Sequence, residues 1–555
     1  MRILMTHGYL LTGTGSNLYV SNLAREFCKV GHDVYLVCQE YHPETLDYVN
    51  EVYTFRHHHT ELVKHHSKDT PYSGTCRMFR PDLAGFLPVY VFDHYDGFIV
   101  KEFPACSEGE IRTYIEQNLQ ALTTILATFA VDVIQTNHTI MFPYIVAQLP
   151  NDHSYPHVVT VHGSALNFSV KKDPRLLPYA QAGLESADTI IVDSEHAREE
   201  LCTFLDEHDM PQLVERVHIV PAGVDVENFL LLNGPKQAHI TAFVEQIQPI
   251  VQRSKGRTPE QSAQMFEHLP VSPAATDALI QDVRSSYDYR YVDQNVITKI
   301  QSIDWRTDHI VLFVGKYLWT KGLYLLLLAA PLILQRYPHC KFVFIGFGPF
   351  REIAEYMVHC LSCKRLDLLQ EMLTTSSDDG SHASATPLPL LADNLHRHAP
   401  AIQGALESSA PVLRDAIIFT GIIDHANLKY ILPCSDVLVA PSVFPEAFGM
   451  VAIEALACGV LPIVTYQSAF KEIADVVKTH LAPYDLALAN VPLSADACLN
   501  IAQNVMTCLA FQQQMQSAGR LQAFKQTLRD IATTHYSWSR IAATYLDVYH
   551  PAIGH

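Results

Sequence analysis

The feature that most constrains this chain is a rhythm in which short apolar strands alternate with helical stretches, in two runs separated by an irregular segment. In the first run, residues 3–6 read as a strand, 16–29 as a helix and 31–38 as a second strand. Further strands fall at 131–135, 158–161 and 189–192, and the run ends near 218–225. The second run places strands at 309–314, 341–345, 416–420, 437–440 and 461–464. Strands alternating with helices predict a parallel sheet covered on both faces. At 555 residues the chain exceeds what one hydrophobic core supports, so two such sheets are expected.

The predicted architecture is α/β, with two Rossmann-like doubly wound domains facing each other across a cleft. Residues 1–230 form the first domain, 231–305 an inserted helical or linker segment, and 306–530 the second domain. A further insertion occupies about 351–412, and its Ser-, Asp- and Gly-rich middle, TTSSDDGSHASATP, reads as a disordered loop. The closing helix, within 531–555, either packs back on the first domain or stays with the second. In such sheets ligands bind beyond the carboxyl ends of the strands, near the point where strand order reverses.

Charge and cysteine usage exclude several classes. A formal charge of −19 without a long acidic run argues against a nucleic-acid binder and against docking on anionic lipid through a basic face. The longest apolar run, 323–334, is too short to span a bilayer and contains Pro331. The opening MRILMTHG reads as a strand rather than a leader, and the 12 cysteines are scattered at irregular spacings, so a cytoplasmic setting is expected. Cys360 and Cys363 form a lone C-x-x-C without a second pair, and no metal site is expected. The histidines at 57–59 and 65–66 read as a solvated loop.

The strongest chemical signal is PSVFPEAFGMVAIEALACGVLPIV, residues 441–464. A strand ends at Ala440, a loop carries Glu446, Phe448 and Gly449, and a helix follows from Met450 and Val451. Free amides at that helix start, with Gly449 permitting close approach, suit a phosphate. Glu454 lies in a helix that is apolar nearly all round, where a carboxylate needs a partner. Ribose hydroxyls would be one such partner; a nearby basic side chain, with Glu446 capping the helix, is the purely structural alternative. The second signal is VGKYLWTKGLYLLLLAA, residues 314–330. Lys316 leaves the strand end, and Lys321 opens an apolar helix where a cation opposes the macrodipole, which points to a bound anion. In the first run, His162 follows a strand end, and Gly13-Thr14-Gly15 lies between the first strand and the first helix.

Together these segments resemble the family 4 glycosyltransferases, which have the two-lobed GT-B fold. Glu446 and Glu454 match the family's E-x7-E pattern, and Gly315, Lys316, Lys321 and Gly322 match its G-(R/K)-x5-KG segment. IGFGP (345–349), with Gly346 and Gly348, FTGII (419–423) and VPAGVD (220–225) add to the likeness. Two departures are visible. Ala222 stands where the family usually has Asn, and Lys316 stands where Arg is more usual, keeping the charge but losing the bidentate fork. The resemblance implies a retaining, metal-independent transferase that moves a sugar from a nucleoside-diphosphate-sugar to an acceptor hydroxyl without a cofactor. It implies that Glu454 binds ribose, Glu446 faces the donor sugar, and Lys316, Lys321 and the amides from Phe448 to Val451 hold the diphosphate. His162 would lie near the reacting centre and the loop of Gly13 and Gly15 on the acceptor and phosphate side. Other two-lobed enzymes, a sugar phosphorylase or a nucleotide-sugar epimerase, remain alternatives, as does a non-catalytic nucleotide-sugar-binding scaffold. A dinucleotide dehydrogenase would leave the second run's motifs unexplained.

Overall fold

The computed structural model describes every residue except 14, 92–94, 151–154, 269–272, 373–387, 389, 485, 487, 489 and 554–555. The chain divides into two compact units, Met1–Gly223 with Tyr536–His555, and Val224–His535.

The first unit is built from β1 (Arg2–Thr6), β2 (Asp33–Val37), β3 (Glu51–Arg56), β4 (Glu61–Ser67), β5 (Cys76–Arg80), β6 (Phe86–Val89), β7 (Ile99–Glu102), β8 (Val133–Asn137), β9 (His157–Val161), β10 (Thr189–Val192) and β11 (Val217–Ile219). Nine of these form one sheet in the order β11-β10-β9-β8-β1-β2-β5-β3-β4, while β6 and β7 pair separately. Every neighbour in the large sheet is parallel except the antiparallel β3–β4 pair. β8 and β9 are buried at every position, and their polar residues are hydrogen-bonded inside the sheet, as between Gln135 and Thr160 and between Thr136 and His157. The helix Glu108–Thr128 starts at a capping box in which Ser107 and Glu110 satisfy each other's backbone amides. The closing helix, Trp538–Ile553, belongs to this unit: the Tyr545 hydroxyl bonds that of Tyr19 at 2.8 Å and the Thr160 hydroxyl at 3.1 Å.

One sequence reading is corrected here. Residues 65–66 are not in a loop. His57 to His59 make the turn of the β3–β4 hairpin, and His65 and His66 lie within β4. His59 is buried, and its Nε2 accepts the Asp82 amide at 2.9 Å. β4 is the edge of the sheet and mostly exposed, so it lacks the apolar alternation that reveals a strand.

The second unit contains β12 (His309–Val314), β13 (Cys340–Ile345), β14 (Ile417–Phe419), β15 (Val437–Ala440) and β16 (Leu461–Val464). They form a parallel sheet in the order β14-β13-β12-β15-β16. The apolar run 323–334 lies in the helix Leu323–Arg336, which is buried along nearly its whole length. Segment 231–305 is helical, with helices Lys236–Val251, Pro259–Gln264, Pro273–Ser285 and Val296–Gln301, and it packs as part of this unit. The later insertion supplies helices Arg351–Ser362, Leu366–Met372 and Leu391–Ala416. The stretch TTSSDDGSHASATP, read as a disordered loop, lies outside the described residues.

A buried ionic network joins the two insertions. Arg257 is fully buried and pairs with Glu355 at 2.7 Å and Glu352 at 3.2 Å. Arg351 pairs with Asp293 at 2.9 Å and with Glu355 at 2.9 Å, and Lys299 reaches Asp293 at 2.7 Å. Burial alone would raise the Asp293 carboxyl, but Arg351 and Lys299 hold it below the usual carboxylate range. Removing one partner of such a cluster strands a charge in the interior. Arg257→Leu is therefore expected to destabilise the second unit by about 3–5 kcal/mol in urea denaturation. A loss under about 1 kcal/mol would mean that solvent reaches Glu352 and Glu355.

Candidate functional site

In the second unit, strand order reverses between β12 and β15, and the loops that leave these two strands carry the charged residues singled out from sequence. After β12, Lys316 lies with its Nζ 5.8 Å from the centroid of the Phe347 ring. Tyr317 turns inward, its hydroxyl donating to the Phe344 carbonyl at 2.7 Å. Lys321 ends a short 3-10 turn, Trp319–Lys321, so the helix proper begins two residues later, at Leu323. Between them Gly322 adopts φ +63°, and a Cβ there would lie 1.9 Å from the Pro441 carbonyl oxygen. Only glycine fits that conformation and that gap.

After β15 the chain folds against this turn. The Val443 amide donates to the Thr320 carbonyl at 2.8 Å, and the Ser442 hydroxyl donates to the same oxygen at 3.1 Å. Glu446 receives the Lys321 ammonium at 2.5 Å, and the Ser442 hydroxyl also bonds this carboxylate. Its amide donates to the Ser468 hydroxyl at 2.9 Å. Glu446 is therefore an ion-pair partner of Lys321 and not the helix cap. The cap is Gly449, at φ +89°, where a Cβ would meet the Phe470 ring at 2.1 Å. The helix Met450–Ala457 starts there without a side-chain cap, and the first amides of a helix have no intrahelical acceptor. Phe448 is buried beside that start.

Glu454, in the same helix, is buried and accepts His425 Nε2 at 2.7 Å. The sequence reading offered ribose or a basic side chain as its partner; in this structure the partner is His425. Burial works against charge on His425, but Glu454, by its charge and its hydrogen bond, raises the imidazole above its ordinary value. Gly346 and Gly348 follow β13 and pack against the backbone of Gly315 and Tyr317, holding the IGFGP loop against the end of β12.

In the first unit the reversal falls between β1 and β8, and a histidine cluster lies at that edge. His7 follows β1, His138 follows β8 and His162 follows β9. His162 Nε2 bonds the Asn137 side-chain oxygen at 2.9 Å, and the Asn137 amide group donates to the Thr6 carbonyl at 2.9 Å. His7 Nε2 bonds Asn17 at 2.9 Å, and His138 lies between the two, with ring centroids 5.8 Å from His7 and 5.0 Å from His162. Burial pushes His7 down to about 4, and burial with the nearby His7 takes His162 to about 3. Burial and both neighbouring imidazoles hold His138 well below its ordinary range. Gly13 and Gly15 are exposed at the start of the helix Gly15–Lys29, with φ values of +104° and +20°; Thr14 lies outside the described residues.

The Glycosyltransferase Family 4 profile matches residues 13–228, and the Glycosyl transferases group 1 profile matches residues 407–485. The chain belongs to the family 4 glycosyltransferases. The first match begins at the Gly13 loop and includes His162; the second includes His425, Glu446 and Glu454. A phosphatidyl-myo-inositol mannosyltransferase of Mycobacterium tuberculosis is 23% identical over 251 residues, 45% of this chain and 49% of that protein. An uncharacterized glycosyltransferase of Methanocaldococcus jannaschii is 22% identical over 242 residues, 44% of this chain and 45% of its own length. The match thus spans about half the length of these curated relatives.

Solved structures agree on the fold. The sucrose-phosphate synthase of Thermosynechococcus elongatus superposes with a TM-score of 0.52 at 16% identity, covering 100% of this chain and 99% of that one. The Anabaena protein HepE in complex with UDP and glucose gives 0.51 at 13% identity, covering 99% of each chain. The glycosyltransferase fold here is GT-B.

Of the site residues read from sequence in this glycosyltransferase, Lys321, Glu446, Phe448, Gly449, Met450, Val451 and Glu454 lie along one loop-and-helix segment or in direct contact with it. Lys316, Gly346 and Gly348 group at the ends of β12 and β13. His162, Gly13 and Gly15 belong to the first unit. The sequence reading missed His425, Asn137, His138 and His7. Asn137 ends β8, His7 and His138 directly follow β1 and β8, and His425 opens the helix after β14, all on the carboxyl side of the strands, where polar residues warrant attention in any parallel sheet. Among the described residues no group of His, Cys, Asp and Glu is arranged to hold a metal ion, and no helix is long and apolar enough to cross a membrane.

Two titrations test this electrostatic picture. By NMR, His425 is expected to titrate above about 6.5, and Glu454→Gln to lower it, while His7 and His162 stay neutral down to pH 5. The folded first unit binds protons on His7, His138 and His162 less readily than the unfolded chain does. Its stability is therefore complete above about pH 6.5 and falls as pH drops below that value, by up to about 1.4 kcal/mol per pH unit for a fully buried histidine such as His7. A flat thermal midpoint between pH 7 and pH 5 would contradict the cluster's burial.

Proposed function

We propose that this glycosyltransferase moves a sugar from a nucleoside-diphosphate-sugar to an acceptor hydroxyl with retention of anomeric configuration and without a metal ion. The observation that carries the reading is the Lys321–Glu446 pair, held at the strand-order reversal beside the helix that starts at Gly449 without a side-chain cap. A cation, a carboxylate and free amides grouped there suit a diphosphate joined to a polyol. The Anabaena neighbour crystallised with UDP and glucose supports the same class of donor.

In this reading Lys316, Lys321 and the amides following Gly449 take the two phosphates. As the glycosyl–oxygen bond breaks, negative charge gathers on the departing phosphate, and fixed cations and dipoles offset it without reorganising. Glu446 exchanges its bond to Lys321 for the hydroxyls of the donor sugar. Glu454 takes the ribose hydroxyls, with His425 fixing its orientation. The acceptor oxygen forms its bond to the anomeric carbon on the face the phosphate leaves, and its proton passes to that phosphate. Glu446 thus positions the sugar and forms no covalent bond to it.

Thermal unfolding with UDP, GDP, ADP and NAD, all at one concentration, is expected to show stabilisation by one nucleoside diphosphate, reaching about 2.7 kcal/mol when that ligand is at 100 times its dissociation constant. Glu454→Ala should reduce that shift. Stabilisation by NAD alone would overturn the reading. Lys321→Ala is expected to lower kcat by about 10²–10³ with the fold retained, since it removes a group that acts on developing charge. Turnover should persist in EDTA, and an inverted anomer in the product would exclude the stereochemistry.

A further inference from the structure

A cavity of about 350 Å³ opens in the first unit, at the same carboxyl edge of the sheet as the histidine cluster, with Gln39, Thr54, Phe55, Arg80, Asp82 and Phe98 on its walls. Its place follows from topology. β2 and β3 both run parallel to β5, so the carboxyl ends of all three strands meet the same edge of the sheet. Gln39 lies two residues beyond β2, Thr54 and Phe55 near the end of β3, and Arg80 at the end of β5. That edge is where open parallel sheets hold their ligands.

Its chemistry is uneven. Arg80 is half-buried, and among the described residues its guanidinium makes no hydrogen bond and no ion pair. The polar neighbours are partly committed. Gln39 is buried and donates to the Pro81 carbonyl at 3.1 Å, which fixes its side chain. Asp82 Oδ1 accepts the Ala84 amide at 3.0 Å, and the Asp82 amide is held by His59 at 2.9 Å. Phe55 and Phe98 supply aromatic surface. A guanidinium favours a planar or tetrahedral oxyanion, amide and carboxylate oxygens suit hydroxyls, and aromatic faces suit the C–H side of a sugar ring.

We infer that this cavity is an acceptor subsite for a hydroxylated ring bearing an anionic group, with Arg80 binding the anion and Asp82 and Gln39 facing hydroxyls. The inference rests on the transferase reading and adds the chemical class of the acceptor. The anion is a phosphate or a carboxylate, and the choice of probes separates the two.

Isothermal titration of the full chain with glucose 6-phosphate, glucuronic acid, glucose and inorganic phosphate tests it. One of the two anionic sugars is expected to bind about 10–100-fold more tightly than glucose, the range of a charge-assisted hydrogen bond. Arg80→Gln should abolish that difference, and Arg80→Lys should restore part of it. Nucleoside diphosphate binding, measured on the same samples, reports on the second unit and should be unchanged in both variants, which also shows that they fold. Equal binding of glucose and both anionic sugars, no binding of any sugar, or a preference that survives Arg80→Gln would overturn the subsite. Inorganic phosphate binding as tightly as glucose 6-phosphate would reduce it to an ion site and overturn the acceptor assignment. Loss of nucleoside diphosphate binding in the wild type would instead count against the transferase reading itself.

Discussion

The Gly322 backbone approaches the Pro441 carbonyl so closely that a Cβ would lie 1.9 Å from the oxygen, and much of the second unit's site depends on that approach. It clamps the loop after β12 to the loop after β15. Once they touch, Thr320 offers its carbonyl to Ser442 and Val443, and Lys321 falls within reach of Glu446. The approach is a property of backbone, which side-chain packing elsewhere cannot reproduce. Neighbouring parallel strands put the two loops side by side, and the missing side chain at Gly322 lets them close the remaining distance.

The same geometry explains why the carboxylates are tolerated. Glu446 is partly enclosed but carries both an ammonium and a hydroxyl. Glu454 is buried in an otherwise apolar helix but meets His425. A charge removed from water needs such a partner, and a site that must later accept a ligand needs partners that can be exchanged. The network around Arg257 is the contrasting case. Arg257 and both of its carboxylate partners are almost completely buried, and they fix the inserted helices in place.

How far the sequence alone reached can be judged residue by residue. β10, β12, β15 and β16 coincide with runs visible in the letters, because strands buried on both faces read as unbroken apolar segments. The β3–β4 hairpin was hidden because an edge strand with polar residues on both faces loses its period. Glu446, Glu454 and Lys321 were legible because charge at a strand end or inside an apolar helix is unusual for any core. His425 was not, since its role depends on a contact 29 residues away in sequence. The His7–His138–His162 cluster shows the same limit. Each histidine alone is an ordinary residue after a strand, and only the sheet order brings the three together. Arg80 and Gln39 likewise become neighbours only when β5 is inserted between β2 and β3.

The closing helix carries a consequence for the order in which the molecule is made. Trp538–Ile553 packs within the first unit, where Tyr545 bonds Tyr19 and Thr160 and Trp538 lies against Gly223. A ribosome therefore delivers Met1–Gly223 long before the helix that completes it, and must synthesise the whole of Val224–His535 in between. During that interval Tyr19 and Thr160 face no partner from the closing helix, so the nascent first unit presents an unfinished surface until translation of the second is over. Chaperone dependence, if it arises, should concentrate in that interval, and the last helix acts as the clasp that ends it.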